Sequence, residues 1–367
     1  MRKLAEARPR SGSPPRHYAM WMFTAACPSR CTYCDIQSQQ GKPGLTADDV
    51  QRIAHQILEA GFSEVMFAVG EPLLSPHLPA ALEVFRGKIP SAVFSGGLPG
   101  LAERAVDVLG AGEVSRVVYS IDAGVPAEND LIRGRKGITR ELLMLAELVQ
   151  QRLPRIGRSV NTVVSRFNVG SLERLWERIR GLGLNSWSLT LAGDFFEGKP
   201  AHALIDIERL TEFYTKTVPA LAARCREQRV ELIVLPIPFP LLARQLPVAS
   251  WAELDEALLL SVRKELELFT KGEFNRTFVE RVGCPLVGID VVIGVSGKVH
   301  PCSQAPIIQP EYVIGDLKSE SLAEILDGEP LEKFAANMPH PPCRRCWAPS
   351  NIPRDTLTRL LREAAEA

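Results

Sequence analysis

The sequence carries no net charge: 43 Lys and Arg balance 43 Asp and Glu over 367 residues. That balance removes the basic footprint with which a nucleic-acid binder neutralises phosphates, so neither DNA nor RNA is an expected partner. An uninterrupted apolar run long enough to cross a membrane is also lacking. The most hydrophobic stretch, Leu232 to Ala243, is broken by Pro236, Pro238 and Pro240, and a spanning helix needs about 20 apolar residues. Met1 to Arg16 holds Arg2, Lys3, Arg8, Arg10 and Arg16 with three prolines, but no apolar segment follows that reads as an export signal. A cytoplasmic protein without a membrane partner is expected. In a reducing compartment cysteines are more often metal ligands than disulfides. Seven of the eight here fall into two local groups, and Cys225 alone stands apart. What is present in quantity is apolar residues, 46% of the chain, enough to fill one large α/β domain and a smaller one.

Residues 1–17 are polar and without periodicity, which reads as a flexible arm. From Tyr18 short runs rich in Val, Ile, Phe and Tyr alternate with helical spacing. Strands are expected at Tyr18–Thr24, Glu64–Val69, Ala92–Ser95, Arg116–Ile121, Arg158–Val164 and Ser186–Leu191, with a possible seventh at Val230–Leu235. Helices are expected at Ala47–Ala60, behind a Thr46/Asp49 capping box, and at Leu78–Phe85, Leu101–Leu109, Thr139–Gln151, Ser171–Arg180, Ile205–Gln228 and Trp251–Phe269. Six β-α repeats imply a parallel sheet with crossover helices, which curls into a partial (β/α)6 barrel of TIM type. Chemistry then belongs at the C-terminal strand ends.

The first of those ends carries Ala26-Cys27-Pro28-Ser29-Arg30-Cys31-Thr32-Tyr33-Cys34-Asp35, a C-x3-C-x2-C loop. Iron–sulfur clusters are usually held by four thiolates, so a loop offering three leaves one iron open to an outside ligand. A zinc loop or a chance cluster is the alternative at this point. The spacing, with an aromatic before the third cysteine, resembles the signature of the radical S-adenosylmethionine (SAM) superfamily. That resemblance implies a 4Fe-4S cluster on Cys27, Cys31 and Cys34, with SAM on the open iron and Tyr33 among the cofactor contacts.

Phe67-Ala68-Val69-Gly70-Glu71-Pro72 resembles the family's Gly-Gly-Glu-Pro motif, with Val69 in place of the first glycine. Gly70, Glu71 and Pro72 match, and the resemblance implies that they contact the amino group of SAM. Tyr119-Ser120-Ile121-Asp122-Ala123-Gly124 and Asn129-Asp130-Leu131-Ile132-Arg133-Gly134 are similar to the family's Ser-x-Asp-Gly and Arg-Gly segments. This adds Ser120 and Arg133 as cofactor contacts, Arg133 facing a carboxylate; the plain alternative is an Arg133–Asp130 pair on a solvated helix end. Asn161 stands where relatives often place a ribose contact, or else caps the following loop. Trp187, Asp194, Phe195 and Glu197 near the sixth strand end are candidates to line the substrate, although an apolar-face Trp is more often core.

The second group is Cys284, Cys302, Cys343 and Cys346. Gly288–Val295 and Lys298–His300 flank Ser296-Gly297 as a β-hairpin that brings Cys284 and Cys302 together. Four thiolates suffice for a second 4Fe-4S cluster, and a four-cysteine zinc site is the alternative. The run from Cys284 through Gly297 to Cys302, then Ile314-Gly315-Asp316-Leu317 and an amphipathic Ser321–Leu326, resembles the C-terminal domain of SPASM and twitch radical SAM enzymes. With no further cysteines it resembles the shorter twitch form with one auxiliary cluster. His300 is not expected to be a ligand, and Cys225 is expected to be structural rather than a hydrogen-atom donor. The division expected is an arm at 1–17, the barrel at 18–240, a helical connection at 241–280 and the auxiliary domain at 281–367, against which the terminal helix from Arg354 packs.

The resemblance implies reductive cleavage of SAM to a 5'-deoxyadenosyl radical that takes a hydrogen atom from substrate, fed by an external one-electron reductant such as flavodoxin or ferredoxin. If the second cluster accepts an electron, the outcome is a two-electron oxidation, and dehydrogenation of a small molecule is the expected reaction. Radical modification of a ribosomal peptide by cross-link, epimerisation or oxidation is the alternative, although the 17 residues before the first strand are too few for the winged-helix peptide-recognition domain such relatives often carry. The molybdenum-cofactor cyclase ranks third because the chain ends without its Gly-Gly. A non-catalytic iron–sulfur or zinc scaffold is the non-enzyme alternative, against which Gly70-Glu71-Pro72 argues.

Overall fold

The computed structural model describes residues 16–39, 41, 44–193, 203–284, 286–303, 311–347, 352 and 354–366. Seven strands run parallel in chain order: β1 Tyr18–Met22, β2 Glu64–Ala68, β3 Ser91–Ser95, β4 Arg116–Ser120, β5 Gly157–Val164, β6 Ser186–Leu191 and β7 Glu231–Leu235. Each pairs with the next in sequence. They are the expected six and the possible seventh, ending within a residue or two of the expected bounds. The crossover helices include α1 Ala47–Glu59, α2 Leu78–Phe85, α3 Ala102–Ala111, α4 Pro126–Ile132, α5 Ile138–Arg152 and α6 Leu172–Ile179. The Thr46/Asp49 capping box closes the start of α1, whose Val50, Ile53, Ala54 and Ile57 form one buried stripe against the sheet. Helix α4 was not expected from the sequence; Pro126 at its start fixes the φ its first turn needs.

Two expected helices are interrupted. Ile205–Gln228 resolves into α7 Ile207–Glu212, a π-turn at Phe213–Thr217 and α8 Val218–Glu227. Pro219 lacks the N–H that would continue the α ladder, and the Val218 N–H reaches back five residues to Phe213 O. Trp251–Phe269 divides into a 3-10 turn at Val248–Ala252 and α10 Glu256–Phe269, restarted by Asp255, whose carboxylate accepts the Leu258 N–H at 2.8 Å. The Pro-rich crossing holds the short α9 Phe239–Ala243, and α11 Arg276–Arg281 precedes the distal cysteines.

The expected hairpin forms as β8 Val291–Ile293 and β9 Lys298–His300, turning at Gly297 with φ +90°. Its placement was not expected: β8 lies parallel to β1, with Ala19 opposite Val291 and Trp21 opposite Ile293. With β10 Gly315–Asp316 beyond β9, one ten-stranded sheet runs β10-β9-β8-β1 to β7. The hairpin therefore covers the backbone groups β1 would otherwise expose as an edge. A large core under the crossover helices extends across this junction to Val291, Ile293 and Val299. A smaller one gathers Leu242, Phe278, Val279, Leu286 and Ile352 with Leu357 and Leu361 of the terminal helix Arg354–Glu366. No helix among the described residues is long and apolar enough to cross a membrane.

Candidate active site

Past Met22 the chain leaves the C-terminal end of β1 and forms the cysteine loop, which two neighbouring strand-end segments hold in place. The Glu71 N–H donates to Ala26 O at 2.8 Å after β2; after β4, Arg133 O and Ile132 O accept from Arg30 N at 3.0 Å and Thr32 N at 2.9 Å. The approach is close enough that a Cβ on Gly70 would fall on Thr24 O, and one on Gly134 on Arg30 O. Cys27, Cys31 and Cys34 are half-buried, and none of the eight cysteines is in a disulfide. Burial pushes the Cys31 thiol up to about 11 and raises that of Cys27, with the neighbouring thiols adding to both. Thiols so disposed ionise readily only when a metal takes the proton's place.

Val69 adopts φ +67° and Gly70 φ +68°. The valine thus takes the left-handed conformation that the motif's glycine would have adopted, and the turn survives the replacement. Glu71 is buried; its Oε2 accepts the Gly96 N–H at 2.8 Å and the Ser95 hydroxyl at 3.2 Å, while Oε1 has no hydrogen-bond partner. Burial pushes this carboxyl up to about 7, against the pull of those two donors, of the nearby Leu73 N–H and of Arg133.

Arg133 does not pair with Asp130. Asp130 instead caps α5, accepting from Gly137 N at 2.5 Å and Thr139 N at 3.0 Å. Arg133 turns inward, donating from Nη1 to the Tyr33 hydroxyl at 2.7 Å and approaching Asp122 Oδ2 at 3.4 Å, while Tyr33 donates to the same Asp122 oxygen at 2.6 Å. Asp122 Oδ1 accepts the Val163 N–H at 2.9 Å. Asp122 thereby ties the cysteine loop to β5, a role that no local pattern in the sequence signals. The Tyr33 hydroxyl is committed to this hub, and a Cβ on Gly96 would fall on Arg133 Nη2 beside Glu71.

Along each strand, positions packed under the helices alternate with partly exposed positions on the concave face. That face presents Met20 and Met22 from β1, Met66 from β2, Phe94 from β3, Ser120 from β4, Asn161 and Val163 from β5, Ser188 and Thr190 from β6, and Ile233 and Leu235 from β7. Ser120, Asn161 and Ser188 lie side by side in register, and Asn161 Oδ1 accepts from the Thr190 hydroxyl at 3.2 Å. The charged strand residues on this face are Glu64 and Arg116, 2.6 Å apart at the lower rim, and the exposed Glu231 that opens β7. Trp187 faces the other way, fully buried against Trp176 with its indole N–H donated to Thr162, so it is core rather than lining. Asp194, Phe195 and Glu197 lie outside the described residues. Cys225 is buried in the main core, where burial pushes its thiol up to about 12.

The distal cysteines lie at the opposite end. Because β8 parallels β1 and β9 returns, Cys302 falls near the N-terminal end of β1, about 13 Å along that strand from the end that carries the first loop. Cys284 feels the charges of Cys302 and Cys343, and burial pushes its thiol up to about 12. Cys343 O accepts from Cys346 N at 3.3 Å and from the Asn275 amide at 3.2 Å. His300 is buried, its Nδ1 3.0 Å from Tyr312 O. Nearby, Asp290 is fully buried 3.5 Å from His17 Nδ1, with its carboxyl pushed up to about 6 by burial.

Among the described residues no three His, Cys, Asp or Glu side chains converge as one metal ion requires. A 4Fe-4S cluster, whose thiolate ligands sit on different irons, does not need that convergence. The unsatisfied Glu71 Oε1 suits an incoming ammonium group.

Comparison with known proteins agrees. The radical SAM superfamily model matches residues 21–179, and the SPASM iron–sulfur cluster-binding domain matches residues 284–347. A GTP 3',8-cyclase of Tolumonas auensis is 33% identical over 141 residues, 37% of this chain and 41% of that protein. A PqqA peptide cyclase of Streptomyces rochei is 32% identical over 166 residues, 44% of each. The matches thus span less than half the length of these two curated relatives. A second PqqA peptide cyclase, from Granulibacter bethesdensis, is 25% identical over 334 residues, 88% of this chain and 78% of that one. Among solved structures, Streptococcus suis SuiB bound to S-adenosylmethionine superposes with TM-score 0.64 at 13% identity, covering 91% of this chain and 72% of SuiB. Native anSMEcpe with bound AdoMet and the Cp18Cys peptide gives 0.62 at 12%, covering 96% and 95%; both likenesses are of fold. The two matched domains imply SAM and two 4Fe-4S clusters as cofactors. The chain carries a radical SAM domain followed by a SPASM domain.

Proposed function

We propose that this radical SAM enzyme modifies a peptide, removing a hydrogen atom from an uncharged residue held in the lumen and completing a net oxidation of that residue. The observation that carries the peptide reading is the 25% identity with a PqqA peptide cyclase across 88% of the chain. The lumen supports it: methionine, phenylalanine and aliphatic side chains face a row of Ser, Asn and Thr, a surface suited to an apolar side chain with its backbone amides hydrogen-bonded. Dehydrogenation of a small metabolite, the first expectation from sequence, has less support, because the relative matched across most of the chain is by its name a peptide cyclase.

In this reading Cys27, Cys31 and Cys34 hold the first cluster, and Cys284, Cys302, Cys343 and Cys346 hold the second. When bound, SAM and the first cluster supply the hydrogen-abstracting carbon radical, and the second cluster supplies an electron acceptor. Glu71 Oε1 would receive the ammonium group of SAM, Gly70 and Pro72 would shape the turn that lets the backbone approach it, and Arg133, paired with Asp122 and Tyr33, holds the cysteine loop beside Glu71. Ser120 and Asn161, adjacent across β4 and β5, face the ribose. Tyr33 positions the loop through the hydrogen bond its hydroxyl donates to Asp122.

The test is an anaerobic incubation of the reconstituted, reduced protein with SAM and a synthetic library of uncharged-core peptides, read by mass spectrometry and by 5'-deoxyadenosine release. The expected result is peptide-dependent release and a peptide lighter by about two hydrogen atoms. Release that no peptide stimulates, but that a pool of small metabolites does, would contradict the peptide reading.

A further inference from the structure

The segment that clamps the cysteine loop also reaches the surface beside it. Leu131, near the end of α4, is 77% exposed, the most exposed of the four large apolar side chains that meet solvent among the described residues. One exposed leucine is ordinary; its surroundings set this one apart. Arg30, Arg135, Lys136 and Arg140 are all exposed. Arg30 is continuous with the turn that carries two of the others, because its N–H donates to Arg133 O and its carbonyl lies against Gly134. Arg135 donates from Nη1 to Pro28 O at 3.0 Å, back onto the cysteine loop. Four cations here face two unpaired carboxylates, Asp130, which caps α5, and Glu141, which accepts the Gly100 N–H at 3.0 Å, while Glu128 is paired with Arg174 at 3.4 Å. In a chain whose charges balance overall, this is a local excess of cations around an apolar centre, which complements an acidic protein surface.

The covalent path behind the patch is short. Leu131 adjoins Ile132, whose carbonyl accepts the Thr32 N–H at 2.9 Å, and Thr32 adjoins Cys31. The other side of the loop is different: a cavity of about 630 Å³ walled by residues such as Phe23, Leu45, Val50, Leu74 and Val295, with no Lys or Arg among its described wall residues. At the distal cysteines Arg344 is already paired with Glu280 at 3.2 Å.

We propose that the face formed by Arg30, Leu131, Arg135, Lys136 and Arg140 docks an acidic one-electron carrier protein, which passes its electron to the first cluster through the Ile132–Thr32 hydrogen bond. The inference rests on the assignment of Cys27, Cys31 and Cys34 to that cluster. The transfer balances without bond making: the carrier is oxidised by one electron and the cluster is reduced by one. Leu131 supplies the dry centre of the contact and the four cations supply steering, so the rate of association carries the salt dependence.

The experiment compares reduction of the reconstituted holoprotein by two donors, an acidic bacterial flavodoxin in its hydroquinone form and dithionite, followed by bleaching of the cluster absorbance. The test variant is Lys136→Glu/Arg140→Glu, at two exposed positions flanking the start of α5. It is expected to slow flavodoxin-driven reduction about tenfold or more at about 0.05 M salt, with the gap closing near 0.5 M salt and the dithionite rate unchanged. Leu131→Ser is expected to slow the flavodoxin reaction at both salt concentrations. Equal flavodoxin rates for wild type and the charge-reversed variant at low salt, or slowing only by Arg345→Glu at the distal site, would overturn the docking proposal alone. A wild-type protein with no dithionite-reducible cluster at the first loop would overturn the cluster assignment and this inference with it.

Discussion

Val69 holds φ +67°, a conformation that costs an L-residue about 1–2 kcal/mol, and more when β-branched. Gly70 meets the same demand without strain, and its missing Cβ leaves room for Thr24 O. Val69→Gly is therefore expected to be neutral or to stabilise by up to about 1 kcal/mol, relief of strain outweighing the added freedom of the unfolded chain, whereas Gly70→Ala is expected to cost about 2 kcal/mol or more. Urea denaturation of the two variants checks the opposite directions; a Val69→Gly loss as large as that of Gly70→Ala would show that the valine side chain packs productively. Glu71 offers a test by pH. Burial raises its carboxyl from 4.5 to about 7, so the folded chain binds this proton more tightly than the unfolded chain. Its contribution to stability is greatest below about pH 4.5 and is lost as pH rises toward about 7, on the order of 3 kcal/mol in all. Glu71→Gln should remove that decline, stabilising the metal-free protein relative to wild type near pH 8 but not near pH 4; a pH-independent difference would contradict the buried-carboxyl account. At this scale the cysteines and Gly-Glu-Pro were legible as local spacing. The Tyr33–Asp122–Arg133 hub was not, because its partners lie 89 and 100 residues from Tyr33, and sequence offered the nearer Asp130 as a partner for Arg133 instead.

The parallel strands and most of the crossover helices were legible because their periods differ and Gly or Pro separates them. What escaped were features decided by single backbone groups or by distant pairing. The π-turn at Phe213–Thr217 follows from the missing N–H of Pro219, and apolar spacing alone cannot distinguish five residues in a wide turn from four in an α turn. Helix α4 was read for its chemistry and not for its backbone. The pairing of β8 with β1 joins residues near 20 and near 292, beyond any local signal. That junction makes a prediction for the element. A chain ending at residue 283 would expose the β1 edge and the apolar surface that Val291, Ile293 and Val299 cover. It is expected to self-associate on size-exclusion chromatography; a stable, monodisperse monomer would show that the barrel does not need the hairpin.

Across the whole molecule, β1 joins two cysteine groups at opposite ends of one lumen. The first loop sits at the C-terminal strand ends and the distal group near the N-terminal end, so a substrate in the lumen lies between the proposed site of hydrogen removal and the proposed site of electron uptake. Which side chain of the proposed peptide substrate enters is set by the concave face, which sequence could only suggest through alternation, and by strand register, which sequence does not show. Iron content after anaerobic reconstitution tests the central claim most directly, read together with 5'-deoxyadenosine release under reduction. About eight irons per chain are expected for wild type, and about four for the Cys27→Ala/Cys31→Ala/Cys34→Ala variant, which should release no 5'-deoxyadenosine; Cys343→Ala/Cys346→Ala should also fall to about four while still releasing it. Stoichiometric zinc in place of iron, or undiminished release by the triple variant, would contradict the account.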